Sequence, residues 1–424
     1  MRGDYTSQRG RCAVKRNAAI GLWLCLWTLI GFMTTTSVRA QTTTLEFWMP
    51  GQEPTIRSTM EGLIKKFEAQ NPRIRVNYTQ VPWSEWFTKL TAALAGNLTP
   101  DISGLGYGQF GMLVGKDVFA ELSLDPADRQ DIADWTLKVG SYRGKLYAFL
   151  LPETRPFAYR KDFFAEAGLD PNKPPQNWTE LRDYALKLVK KRGGKVTRAG
   201  VDIPYLGWVE QVYVSFYATK KENGNLWDEG GKPTFYDREG IDTLQYLVDL
   251  KLKYDVVLPS DQQSIMGTAF ESGAAAMGFP KSQGLPMLLS SKPGQIGFAP
   301  PPKEKTSTAL TLGTFLAVYK NSKNKKEAQE FLRFLYSKES MWEIYKGILF
   351  LPTRKSLHQN FIADQDYNRI LAECLENSVS YNVHPNFGEA RKVLNDDLGE
   401  AFFGRKSPKD ALKTAYDKLM ELSK

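Results

Sequence analysis

Histidine is nearly missing from this chain: among 424 residues only His358 and His384 carry an imidazole, and neither has ligand partners at motif spacing. A histidine-held catalytic metal or a histidine-based triad is therefore not expected, and no cofactor is implied. Cysteine is almost as scarce, being confined to Cys12, Cys25 and Cys374. The chain has no G-x-S-x-G turn, no P-loop, no internal repeat and no low-complexity tract. Those absences remove the common local signatures of hydrolases and nucleotide-phosphate enzymes.

What is present begins with a leader. Arg2, Arg9, Arg11, Lys15 and Arg16 precede the apolar run from Ala18 to Met33, and Ser37-Val-Arg-Ala40 closes it. This is the three-part form of a signal peptide, with cleavage expected after Ala40 and a periplasmic location to follow. The run falls short of the roughly 20 residues that a spanning helix needs. Cys25 lies within it without the small residues of a lipidation site, so no lipid anchor is expected. Removing 40 of the 424 residues leaves 384, more than one apolar core usually supports, and two domains follow. The leader holds six basic residues, Arg39 included, against Asp4, so its loss lowers the net charge of +9 by five, to +4. That mild balance, without a basic tract, argues against a nucleic-acid partner. Cys374 alone remains, so the mature chain must rest on its cores rather than on a disulfide.

Behind the leader, Thr44 to Asp101 reads as strand, helix, strand, helix, strand. Leu45, Phe47 and Met49 alternate with Glu46 and Trp48, which marks a strand with Trp48 near its carboxyl end. Pro54 opens a helix on which Ile56, Met60, Leu63, Ile64 and Phe67 share a face, and Asn71-Pro72 ends it. Arg73 to Tyr78 alternates again. A strand, crossover helix and strand of these lengths form a right-handed parallel unit, whose ligands bind beyond the carboxyl ends of the strands. Further on, Gly144 to Leu151 predicts an apolar strand crossing at Pro152, and Phe157 to Phe164 a strand and short helix. Asn177 is expected to cap a helix with Glu180 three residues on, and Ser407-Pro408 to open the last helix. Pro293, Pro300, Pro301 and Pro302 favour an extended crossing segment, and Thr311 to Tyr319 a strand returning to the first core.

In that order and spacing, Leu45-Glu-Phe-Trp48, Phe67-Glu-Ala-Gln-Asn-Pro72, Pro100-Asp-Ile102, Tyr159-Arg-Lys-Asp162, Asn177-Trp-Thr-Glu-Leu181, Glu271 to Met277 and Leu351-Pro-Thr-Arg354 carry a family likeness. The mature chain resembles the extracellular solute-binding proteins of carbohydrate ABC transporters, the group that includes maltose-binding protein. The resemblance implies an α/β, two-lobed periplasmic-binding-protein fold with a ligand cleft between lobes joined by crossing hinge segments. By analogy one lobe takes 41–152 and 306–345, the other 153–305 and 346–424. It further implies a monomer that closes around a carbohydrate and hands it to the membrane permease subunits of an ABC importer.

A sugar offers apolar C–H faces and a ring of hydroxyls, so its site needs flat aromatics and planar polar groups. Trp48, Trp83, Tyr107, Tyr205 and Trp208 are the candidate platforms, each weighed against the ordinary fate of an aromatic as core; Trp86 and Phe87 read as packed helix faces. On Trp48 as a platform, Trp48→Ala would weaken binding by about 1–3 kcal/mol. Glu53 lies beside Trp48, and Asp101 is either a contact or a turn cap. By resemblance, Glu153 holds the place of a sugar-contacting carboxylate, with Arg155 able to pair with it, and Gly313-Thr314 lets backbone approach the sugar. Arg354 is a candidate bidentate donor. Where relatives often place a large aromatic, this chain reads Gly278-Phe-Pro-Lys281, so either Phe279 replaces that ring or the subsite is polar. The ligand expected is a disaccharide or glucosyl-polyol of the glucosylglycerol, trehalose, sucrose or maltose type. Lys281 keeps a glycerol phosphate open as the alternative. Gly106 to Gly111 matches a dinucleotide fingerprint but lacks its acidic partner, and a secreted glycosidase or lyase is the competing enzyme reading.

Overall fold

The computed structural model describes residues 42–222, 224–228, 231–263, 269–380 and 386–423. The leader with its cleavage point and Cys25 lies outside the described residues, as does His384. Among the described residues no helix is long and apolar enough to cross a membrane.

The elements that position the site run β1 (Thr43–Pro50), α1 (Pro54–Gln70), β2 (Ile74–Val81), α2 (Trp83–Ala95), β3 (Ile102–Leu105), α3 (Tyr107–Val114), α4 (Pro126–Asp131), β4 (Ala148–Arg155) and β5 (Phe157–Arg160). Next come α5 (Trp178–Leu188), α6 (Val209–Lys220), α7 (Arg238–Leu252), β6 (Met277–Gly278), β7 (Ile296–Ala299) and β8 (Ala309–Val318). The chain then forms α8 (Lys325–Leu335), α9 (Lys338–Ile348), β9 (Ser378–Val379), α10 (Phe387–Phe402) and α11 (Pro408–Leu422).

The expected parallel unit is present: β1 pairs in parallel with β2, Phe47 opposite Tyr78, and on its other edge with β3. Leu45, Phe47 and Met49 are fully buried on one face. There they meet the stripe Ile56, Met60, Leu63, Ile64 and Phe67 of α1, each such side chain contributing roughly 1.5–3 kcal/mol on burial. Pro54 begins that helix, and Asn71 ends it by donating from Nδ2 to the Phe67 carbonyl at 3.0 Å. The sheet order is β9-β8-β3-β1-β2, with β4 also paired to β8. A second, three-stranded sheet, β6-β5-β7, is antiparallel and anchors the other lobe.

Two strands pass between the lobes as a pair. β4 and β8 run antiparallel from Ala148 opposite Ala317 to Arg155 opposite Leu310, with Pro152 facing Gly313. A β-carbon on Gly313 would strike the Leu151 carbonyl, so close approach of the two strands requires glycine there. A third passage follows α9, where the Leu351 N–H donates to the Pro152 carbonyl at 2.8 Å. Pro152 offers no N–H to a ladder, and its place beside this passage costs the sheet nothing.

Local signals that rest on backbone geometry hold: Asn177 accepts from the Glu180 N–H, and Ser407 caps α11 by accepting from the Asp410 N–H with Pro408 at the first turn. Two readings change. Ile296–Ala299 within the proline-rich crossing is a strand of the second sheet, and Tyr107 opens α3. Trp86 is fully buried, whereas Phe87, one residue on and so about 100° round the helix, is 45% exposed rather than packed.

Candidate functional site

The cleft forms where the carboxyl ends of β2 and β3 face the second lobe. From the first lobe, Trp83 at the start of α2 and Gly106-Tyr107-Gly108 at the start of α3 line a chamber. The crossing strands supply Glu153, Arg155 and the run Leu312-Gly313-Thr314. The second lobe supplies Trp208 and Gln211 from the head of α6, Lys281 and Gln283 after β6, and Phe387 and Arg391 from α10. An adjoining chamber shares Arg155, Trp208, Gln211 and Lys281, and adds Asp202, Phe216 and Phe279.

The rings of this cleft are held in place. Tyr107 is packed edge-on against Phe315 of β8 at 4.8 Å, and Phe279 edge-on against Phe216 at 5.3 Å. Trp208 carries the Arg391 guanidinium 4.2 Å from its ring. That guanidinium is fixed in turn by Glu210 at 2.8 Å and the Gly207 carbonyl at 2.7 Å.

The polar groups are paired, but incompletely. Arg155 stands 3.6 Å from Glu153, and Lys281 reaches Glu53 at 3.2 Å. Yet among the described residues Glu153 Oε2, Arg155 Nε and Gln211 Oε1 are buried with no hydrogen-bond partner. Leaving such an atom unmatched costs about 1–3 kcal/mol, and these three offer the cleft two acceptors and one donor. Burial pushes the Glu153 carboxyl above its usual range despite Arg155 and Lys281. Burial likewise pulls on Glu53, but the Lys281 ammonium and the N–H groups of Glu53 and Gln52 outweigh it and hold that carboxyl low.

Two further carboxyls near the cleft are strained by burial. Asp202 is pushed up to about 6, though it accepts from the Phe270 N–H, and Glu271 to about 7, opposed only in part by Lys281. Both hold their protons more tightly folded than unfolded. Their contribution to stability therefore falls as pH rises from 3.8 to about 6 for Asp202, and from 4.5 to about 7 for Glu271. Asp202→Asn and Glu271→Gln should each flatten the decline of folding free energy across that window by an amount on the order of 1–3 kcal/mol, read as a flatter fall of Tm with pH. Melting curves that stay parallel to those of the unaltered protein at every pH would contradict this.

Of the residues singled out from sequence, Trp83, Tyr107, Glu153, Arg155, Trp208, Phe279, Gly313 and Thr314 come together at the cleft, and Glu53 joins them through Lys281. Four are placed elsewhere. Trp48 lies on the sheet face opposite Phe47 and Met49, with the Lys89 ammonium of α2 at 4.3 Å over its ring, and does not line the cleft. Asp101 is buried as a pin, accepting from the Glu46 N–H at 2.8 Å and the Ser322 hydroxyl at 2.5 Å. Tyr205 is 1% exposed, stacked on Phe402 at 5.3 Å, with its hydroxyl donated to the Leu258 carbonyl. The Arg354 guanidinium is spent on Asp128, Asp131 and the Tyr336 carbonyl.

Sequence reasoning missed Asp202, Gln211, Gln283, Phe387 and Arg391. Gln211 had a usable signal, standing one helical turn beyond Trp208. Phe387 and Arg391 share a helix face, but nothing local says which lobe that face meets.

A two-lobed α/β binding protein, with a hinge of crossing strands and a cleft lined by aromatic and polar side chains, is the class these features define. The family model for bacterial extracellular solute-binding proteins matches residues 51–342, and the chain belongs to that family. A putative binding protein of Brucella abortus (strain 2308) is 25% identical over 366 residues, covering 84% of this chain and 88% of the relative. The sn-glycerol-3-phosphate-binding periplasmic protein UgpB of Escherichia coli (strain K12) is 24% identical over 428 residues, covering 89% and 91%. Among solved structures, an ABC transporter solute-binding protein of Thermotoga lettingae bound with α-D-tagatose superimposes with a TM-score of 0.80 at 22% identity, covering 90% of this chain and all of that one. The GacH receptor of Streptomyces glaucescens, solved unliganded and with acarbose, gives 0.77 at 22% identity, covering 90% and 99%. These likenesses bear out the two-lobed fold and the family resemblance read from the sequence.

Proposed function

We propose that this protein is an exported, periplasmic receptor that captures a carbohydrate and delivers it, unconverted, to the permease of an ABC importer. The observation that carries the reading is the set of unpartnered buried atoms on Glu153, Arg155 and Gln211, set among the rings of Trp83, Tyr107 and Trp208. The two chambers share Arg155, Trp208, Gln211 and Lys281, and the ligand of this reading is a disaccharide or glucosyl-polyol. The lobes of this reading are 41–152 with 306–345 and 153–305 with 346–424, and it takes the protein as a monomer needing no cofactor. The solved neighbours bound with α-D-tagatose and with acarbose support it, as does the family.

A second reading, a glycerol phosphate or related polyol derivative, draws on the UgpB relatives and on Lys281 and Arg155 in the cleft. Against it, each of those cations already faces a carboxylate. A thermal-shift screen over sugars, polyols and glycerol phosphates separates the two, because a cleft ligand raises Tm by mass action. No shift with any neutral sugar would end the carbohydrate reading. Recovery of shortened products after incubation with oligosaccharides would make the protein an enzyme instead.

Trp208 borders both chambers, so Trp208→Ala should weaken binding by about 1–3 kcal/mol, while Trp48→Ala, behind Lys89, should leave affinity within about twofold. Calorimetry showing the reverse order would return Trp48 to the role its place in the sequence suggested.

A further inference from the structure

The lobes touch each other directly at two places beside the cleft. At the first, Glu53, which precedes α1 of the first lobe, meets Lys281 of the second lobe at 3.2 Å, with 15% and 6% of their side chains exposed. The residues around Lys281 are themselves anchored: the Gly284 N–H donates back to the Lys281 carbonyl, and the buried Ser282 hydroxyl donates at 2.8 Å to the Leu349 carbonyl of the third passage. At the second place, the Phe387 ring, at the start of α10, lies on Gly108 of α3 so closely that a β-carbon on Gly108 would fall inside the ring's van der Waals envelope. Both contacts are made by protein groups on both sides and are available only when the lobes are together.

We propose that these contacts form a clasp: the Lys281–Glu53 ion pair and the seat of Phe387 on Gly108 set the ratio of closed to open protein independently of which ligand is held. Lys281, Glu53 and Gly108 are then positioning residues. Interactions present only in the closed form shift its population, and the apparent affinity of every closed-form ligand scales with that population. The ion pair is suited to this work, because a semi-buried pair is poorly screened by salt and leaves an unmatched charge when broken. The proposal rests on reading the cleft as the ligand site, but its first test does not.

The test combines small-angle scattering with calorimetry on the otherwise unaltered protein. Lys281→Met, Glu53→Gln and Gly108→Val should each raise the radius of gyration measured without ligand. Each should also raise Kd by roughly tenfold for every ligand bound, with ratios between ligands unchanged. The Lys281→Met/Glu53→Gln double variant should be no weaker than either single one, because both remove the same pair. An unchanged radius of gyration in all three overturns the clasp. So does a loss confined to one ligand in Lys281→Met that adds to the loss in Glu53→Gln, which would make Lys281 a ligand contact. Should Lys281→Met fail to give a cooperative melt, Glu53→Gln and Gly108→Val decide the matter by the same two measurements. If no carbohydrate binds the unaltered protein, the functional reading fails while the scattering comparison still decides whether the lobes are clasped.

Discussion

Glu153→Ala is expected to reduce affinity for the captured sugar by about 2–4 kcal/mol, some 30- to 1,000-fold in Kd. Glu153 is 5% exposed at the place where β4 leaves the first lobe, with one carboxylate oxygen toward Arg155 and the other buried without a partner. Truncation removes the acceptor that a ligand hydroxyl would satisfy, and it also strands the Arg155 guanidinium, whose Nε is unpartnered already. Those two losses compound because they occur in one dry site. Glu153→Gln keeps the shape and one acceptor but not the charge, and should lose about half as much. Titration calorimetry with the sugar found by thermal-shift screening checks both; an alanine variant that binds as tightly as the unaltered protein would remove Glu153 from the site and with it the main support for the carbohydrate reading.

Arg354→Leu is expected to do the opposite, lowering folding stability by about 2–4 kcal/mol while sparing affinity. The guanidinium is 4% exposed and donates to the Tyr336 carbonyl at 2.6 Å, to Asp128 at 2.8 Å and to Asp131 at 3.1 Å. It thereby ties the segment after the third passage to α4 of the first lobe. Removing it leaves a buried carbonyl and two carboxylates short of a donor. Asp131 is also served by the Ser356 N–H and hydroxyl at 2.8 Å each, which bounds the damage. Urea unfolding with an unchanged m-value is the appropriate measurement. A variant that is as stable as the unaltered protein but binds poorly would restore Arg354 as a ligand donor.

How far the sequence could be read follows from the range of the forces involved. The β1 alternation, the α1 stripe and the caps at Asn177 and Ser407 are products of neighbours within about four residues, and all are found where expected. The candidate platforms were harder to rank. Trp48, Tyr205 and Trp208 are alike as aromatics near predicted element ends. Tyr205 is sealed against Phe402, almost two hundred residues away, and half-buried Trp48 carries Lys89 of the helix that follows its neighbouring strand over its ring. Asp101 and Arg354 had the polar chemistry of ligand contacts, but their partners Ser322 and Asp128 are separated from them by 221 and 226 residues. No local pattern announces such a partner, and a satisfied polar group is no longer free for a ligand.

The order of hydrophobic and capping residues, by itself, determined that residues 44–101 build parallel β-α units, because strand and helix periods follow from backbone geometry alone. The two lobes followed from chain length and from the family whose order of elements this chain shares. Which rings and charges face the cleft was decided only by the tertiary structure. Glu53 and Lys281 lie 228 residues apart and are brought together only by the fold, in which β4 and β8 pair between the lobes. Burial then selects which polar atoms are left for a ligand.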